Sequence, residues 1–137
     1  MKIINKYIAI TALLFIGFNA CTKDEKAAEL NVTKNMVSDK TWYLDYSVTN
    51  NTTKSYVGQT TYFINFLKTG RTNDSDGISG TYQIQKPANM LQVQVTATTV
   101  SGTPANYTYD IESVGNQNLI LAYTKNGLRT QLYYSTK

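Results

Sequence analysis

From Thr41 onward apolar and polar residues alternate one by one, and that period of two limits the fold more than any other feature of the chain. Trp42, Leu44, Tyr46 and Val48 share one face, opposite Tyr43, Asp45, Ser47 and Thr49. Leu91, Val93 and Val95 alternate with Gln92, Gln94 and Thr96, and Tyr107, Tyr109 and Ile111 with Thr108, Asp110 and Glu112. Leu128, Thr130, Leu132 and Tyr134 alternate in the same way with Arg129, Gln131, Tyr133 and Ser135. Side chains that repeat every second residue belong to strands with one buried face, because a helix repeats every 3.6. Segments 62–67 and 119–123 are apolar on both faces, as expected of central strands or of strands covered by the N-terminal segment. The pattern predicts strands near 41–48, 54–58, 61–67, 70–74, 79–85, 90–97, 106–113, 118–124 and 128–135, the second and fourth being weak.

The connections are legible as well. Asn126-Gly127 is a type I′ hairpin signal, since both central residues of that turn need a left-handed backbone. Lys68-Thr69-Gly70 joins another pair of strands and Val114-Gly115-Asn116-Gln117 a third. Connections this short make consecutive strands antiparallel neighbours. A meander with one buried face and this many strands closes into a barrel or a tight sandwich. The fold class is therefore all-β: an antiparallel meander of about eight strands, preceded by a flexible tether and a short helix.

The start of the chain reads as an address. Lys2 and Lys6 precede an apolar run from Ile8 to Phe18, and Asn19, Ala20 and Cys21 follow. A basic start, a short apolar centre and a small residue at the cut site are the parts of a secretory signal, and the run is too short for a comfortable membrane span of about 20 residues. Cys21 directly after Ala20 resembles the lipobox of bacterial lipoproteins, although Phe18 and Asn19 depart from its common residues. That resemblance implies acylation of Cys21 and a membrane partner reached through the lipid. Lys23-Asp24-Glu25 behind the cysteine resembles the tract that directs Bacteroidetes-type lipoproteins to the cell surface, which implies an outer-membrane, surface-exposed location. The domain plan is a signal peptide over 1–20, a lipidated tether with a short helix over 21–37, and the β-barrel over 38–137. In the tether, Ala27 to Leu30 and Lys34 to Val37 suit a turn or two of helix.

Several function classes are excluded by composition. The chain has no His, which removes His-based acid–base catalysis, His metal ligands and Ser–His or Cys–His nucleophiles. Cys21 is the only Cys, so there is neither an internal disulfide nor a Cys-rich zinc site. Of 13 Lys and Arg, Lys2 and Lys6 fall in the leader, leaving 11 against 9 Asp and Glu. That small imbalance is no basic patch, and nucleic acid is not an expected partner. Asp110 and Glu112 lie about 7 Å apart along one strand face, a spacing that suits paired carboxylates in glycoside cleavage, but they sit opposite Tyr107, Tyr109 and Ile111 and point at water. Asn73-Asp74-Ser75-Asp76-Gly77 has the oxygen-rich look of a calcium loop but lacks the downstream Glu, and Asp and Gly are ordinary turn residues. No catalytic residue, metal or cofactor is assigned.

Lys40-Thr41-Trp42-Tyr43-Leu44 is similar to the Gly-x-Trp-x-Leu opening of small lipocalin-like domains found among Bacteroidetes lipoproteins, with Lys40 in the place of the usual Gly. Ile64 to Gly70 resembles that family's Phe-x-x-x-Gly hairpin, Gly80-Thr81-Tyr82-Gln83-Ile84 its Gly-x-Tyr-x-Ile strand, and the final hairpin closes on Tyr133-Tyr134. The resemblance spans about residues 38 to 135 and implies a small lipocalin-like barrel without implying an activity, because fold does not carry function. Ten of the 11 tyrosines follow the leader, since only Tyr7 precedes Cys21. Tyr is both a good strand residue and a favoured contact residue. Trp42, Tyr46, Tyr82, Tyr107, Tyr109 and Tyr134 are the expected lumen or mouth set for a ligand, with Trp42 either a stacking platform or a plug in the barrel floor. The expected function is a non-enzymatic surface lipoprotein whose barrel binds a small apolar, aromatic or glycan ligand. The alternatives are a protein-interaction module or accessory subunit of an outer-membrane complex, or a peptidase or lysozyme inhibitor, with an outer-membrane or extracellular protein as partner.

Overall fold

A computed structural model describes residues 23–137. Cys21 and the leader expected over 1–20 lie outside the described residues. Residues 23–37 are helical and form α1, a continuous run where the sequence suggested only a turn or two. Nine strands follow: β1 (Lys40–Thr49), β2 (Thr52–Ser55), β3 (Phe63–Phe66), β4 (Arg71–Asp74), β5 (Ser79–Gln85), β6 (Gln92–Thr98), β7 (Tyr107–Val114), β8 (Asn118–Lys125) and β9 (Leu128–Ser135). Each expected strand is present.

The strands form one sheet in the order β2-β1-β3-β4-β5-β6-β7-β8-β9, and β1 also pairs with β9. β1 is long enough to take two partners along one edge. β3 pairs with its first half, Lys40 to Tyr43, and β2 with its second half, Tyr46 to Thr49. β9 runs antiparallel along the other edge, from Tyr43 opposite Ser135 to Thr49 opposite Thr130. β1 and β3 to β9 thus close an eight-stranded antiparallel barrel, consistent with the lipocalin-like expectation, and closure leaves no free edge within that ring. β2 is a short, exposed arm beside that ring.

Turn chemistry sets the register. Asn126 and Gly127 have φ of 53° and 77°, the left-handed pair of a type I′ turn, and place Lys125 opposite Leu128. Asn50 and Asn51, at 48° and 61°, do the same between β1 and β2. Asn tolerates this region better than other residues with a Cβ, so β2 begins at Thr52, earlier than the pattern suggested. The left-handed residue between α1 and β1 is Asp39, at φ 58°, and Lys40 already lies in β1. Asp39 is held from both sides. Its N–H donates to the Phe66 carbonyl at 2.7 Å, while its carboxylate accepts the Lys68 N–H at 2.9 Å and pairs with Lys68 Nζ at 3.0 Å.

One end of the barrel is filled. Val37, Trp42, Phe66, Tyr82, Val93, Leu119 and Leu121 form its core. Trp42 is fully shielded and donates Nε1–H to the Val37 carbonyl at 2.8 Å. The Tyr82 hydroxyl donates to the Leu67 carbonyl at 3.0 Å, and the Phe66 and Tyr82 rings meet edge to face at 4.9 Å. Buried aromatics with satisfied polar handles are stable stoppers.

Two bulges reset the alternation. In β1 the register against β9 slips between Leu44 and Tyr46, so Leu44 faces Tyr134 while Ser47 faces Leu132 and Thr49 faces Thr130. An extra residue in one strand exchanges its inner and outer faces from there on. Trp42 and Leu44 point inward as expected, but Tyr46 and Val48 do not share their face, and Tyr46 stands 42% exposed. In β7 the slip lies between Ile111 and Ser113, after which Val114 packs against the core.

Candidate functional site

The open end of the barrel holds a cavity of about 680 Å³, within the range of about 300–1,000 Å³ usual for small-molecule sites. Its apolar floor includes Leu44, Ile64 and Leu132, and six tyrosines wall it: Tyr56, Tyr62, Tyr107, Tyr109, Tyr123 and Tyr134. The inward positions of β7, β8 and β9 supply Tyr107, Tyr109, Tyr123 and Tyr134. Tyr107 and Tyr109 stack at 6.1 Å between centroids, and Tyr109 meets Tyr123 edge to face at 5.9 Å. Across the mouth, Tyr56 and Tyr62 on the β2–β3 connection pack against each other at 4.9 Å.

The charged part of the wall lies at the β4–β5 turn. Asp74 ends β4 opposite the inward-facing Ile64 and lines the cavity together with Asp76. Asp74 Oδ1 accepts the N–H groups of Asp76 at 2.9 Å and Ile78 at 3.0 Å, which fixes its side chain as in an Asx turn. Burial pushes the Asp74 carboxyl above its ordinary value, against the lowering effect of those two hydrogen bonds, and the charge on Asp76 adds to the rise. Burial also raises the phenols of Tyr109 and Tyr134. After their tyrosine neighbours at Tyr107 and Tyr109 respectively, Asp74, Tyr123 and Asp76 contribute to both shifts. These hydroxyls therefore stay protonated and offer hydrogen bonds, not bases. Lys125 reaches the rim from the end of β8.

Of the six residues expected at the lumen or mouth, Tyr107, Tyr109 and Tyr134 line the cavity. Trp42 and Tyr82 are buried at the filled end, and Tyr46 is turned outward by the β1 bulge. Tyr56, Tyr62, Tyr123, Asp74 and Asp76 line the cavity without having been singled out as ligand contacts. Tyr123 continues the inward series Leu119, Leu121, which an apolar run on both faces concealed. Asp74 continues the inward parity of Thr72 and looked like loop.

Lys23, Asp24 and Glu25 are exposed and helical in α1. No helix among the described residues is long and apolar enough to cross a membrane. The oxygen-rich stretch at 73–77 forms the turn just described, and no group of three or more metal-ligating side chains occurs among the described residues. Asp110 and Glu112 point away from the cavity and share Arg129, whose guanidinium reaches Asp110 Oδ2 at 3.0 Å and Glu112 Oε1 at 2.7 Å. Gln92 donates to Asp110 and Gln131 to Glu112, completing a polar network on the outer wall. No protein-family model, curated protein or solved structure matches the chain.

Proposed function

We propose that this protein is a non-enzymatic, lipid-anchored binding protein of the outer membrane that takes a small ligand with an apolar or aromatic body into the tyrosine-walled mouth. The half-open cavity of about 680 Å³ carries the reading: a filled floor beneath an aromatic mouth is the arrangement of a binding barrel whose interior is otherwise solid. Rigid rings packed against one another lose little entropy when a planar ligand slides between them. The anchor reading rests on Cys21 after Ala20 and the tract Lys23-Asp24-Glu25.

A Tyr107→Ser, Tyr123→Ser double variant, screened against a library of small aromatic and glycan ligands by calorimetry, tests the mouth. Each lost aromatic contact is worth roughly 1–3 kcal/mol, about tenfold or more in affinity, so binding should fall at least tenfold with the fold retained. Trp42, at the filled end, monitors that fold: its emission should be blue-shifted and unmoved by ligands at the mouth. Binding left intact in the variant would place the ligand elsewhere. For the anchor, Cys21→Ala should release the protein from the membrane fraction of cells fed a fatty-acid probe and abolish its labelling.

An interaction module is the second reading, and one observation favours it. Val57, Tyr62 and Val100 stand exposed on connections and Leu128 at the start of β9, with Val100 88% accessible. Exposed apolar side chains suit a protein partner where they form a patch. Loss of a co-purifying protein in a Val100→Ser, Leu128→Ser variant that binds small ligands normally would favour it.

A further inference from the structure

We propose that the mouth cavity selects an organic cation, an amine or quaternary ammonium carried on an apolar or aromatic body. The inference rests on the ligand-binding reading above and names the chemical class of its ligand.

The charges at the mouth are unequal in position. Asp74 is half-buried at the end of β4, whereas Asp76, which follows it in the same wall, and Lys125, beside the β8–β9 turn, are exposed. Asp74 and Asp76 both contribute to the upward shift of the buried Tyr109 and Tyr134 phenols. Two carboxylates against one ammonium give the cavity lining a net negative charge.

Asp74 is also prepared for a ligand. Both of its backbone-facing bonds go to Oδ1, and Oδ2 has no hydrogen-bond partner among the described residues. Asp74 is half-buried, burial raises its carboxyl, and none of the ion pairs among the described residues includes it. A partly desolvated, fixed carboxylate with a free oxygen discriminates strongly in favour of a cation and against an anion.

The rings add the second half of the recognition. The faces of Tyr rings carry the negative part of the aromatic quadrupole, which attracts ammonium groups within about 6 Å. Tyr107, Tyr109 and Tyr123 form one packed aromatic wall, and Leu44, Ile64 and Leu132 below them accept an apolar body. Neutral ligands would use the rings and floor alone. Anionic ligands would meet two carboxylates.

Three probes with one ring system separate these cases: naphthylethylamine, naphthylethanol and naphthylacetate, titrated into the full-length protein by calorimetry. The amine should bind at least tenfold more tightly than the alcohol, and the acid most weakly. An Asp74→Asn, Asp76→Asn double variant keeps the Oδ1 acceptor of the turn and should reduce the amine to about the affinity of the alcohol, which should change far less than the amine. Should that variant fail to fold, Asp76→Asn alone, at an exposed turn position, should lose about threefold for the amine only. Equal binding of alcohol and amine by the wild type, or an amine preference that survives both substitutions, would overturn the cation class and leave the cavity reading standing. If none of the three binds while Trp42 emission reports a folded barrel, the cavity reading falls and the cation class with it.

Discussion

Asp74 shows at the residue scale how a half-buried carboxylate in the cavity wall lowers stability. Its folded-state pKa is raised by burial, so the folded protein holds the acidic proton more tightly than the unfolded chain. The sign follows directly. Below the ordinary value of 3.8 the group is protonated in both states and costs nothing, and as pH rises through the raised pKa the ionised form destabilises the fold. Asp74→Asn should therefore increase the melting temperature at pH 7, only modestly because water still screens the group. The gain should vanish near pH 3, and thermal melts at the two pH values check it. A gain that persists at low pH would mean that the carboxylate charge is not its source. Legibility was uneven at this scale. Tyr107, Tyr109 and Tyr134 were readable because alternation gives the face of a strand directly. Trp42 and Tyr82 share that inward face but lie at the other end of the barrel, and a period of two says nothing about height along the axis.

At the scale of elements, strand placement was legible and phase was not. Eight of the nine strands lie close to where alternation and turn residues put them, because β-branched and aromatic runs bounded by Gly and Asn have few other uses, and β2 overlaps its expected place only at Lys54 and Ser55. The β1 bulge between Leu44 and Tyr46 is invisible in the pattern, since Trp42, Leu44, Tyr46 and Val48 alternate without a break. Only pairing with β9 reveals that Ser47 and Thr49 take over the inner face, where Thr49 and Thr130 share a hydroxyl hydrogen bond at 2.8 Å. Close approach between strands is equally hidden. A Cβ on Gly80 would collide with the backbone of β6, at the Thr96 carbonyl and 2.5 Å from the Ala97 Cα, whereas a Cβ on Gly127 would meet open space. Gly80→Ala should force β5 and β6 apart and cost about 3 kcal/mol or more, as overpacking against backbone does. Gly127→Ala should cost about 1 kcal/mol, the strain of a left-handed turn residue. Denaturant titration of both variants tests the order, and equal losses would show that β5 and β6 separate easily at Gly80.

For the whole molecule, closure is the event on which the mouth depends, and it joins strands far apart in the chain. β9 lies between β8 and β1, facing β8 from Asn118 to Lys125 and β1 from Tyr43 to Thr49. Pairing at such separation costs loop entropy before it returns contact energy, so the seam should form late in folding. Once formed it is shielded on both edges, and its inner face carries Leu132 and Tyr134 onto the core. The β2 arm contrasts with it, being four residues long, exposed throughout and bonded along one edge to β1. Openings of low free energy belong where backbone hydrogen bonds are exposed and apolar contacts few. Native-state hydrogen exchange should therefore find the amides of β8 and β9 slowest and those of Thr52 to Ser55 fastest, by a factor of about 100 or more. This ordering bears on binding, because the β2–β3 connection carries Tyr56 and Tyr62, the half of the aromatic wall that is not built on the long strands. A ligand seated in the mouth should slow exchange in that connection while leaving β8 and β9 unchanged. If β9 exchanged as fast as β2, the seam would be opening with the arm, and the cavity would lack the rigid wall on which Tyr109, Tyr123 and Tyr134 stand.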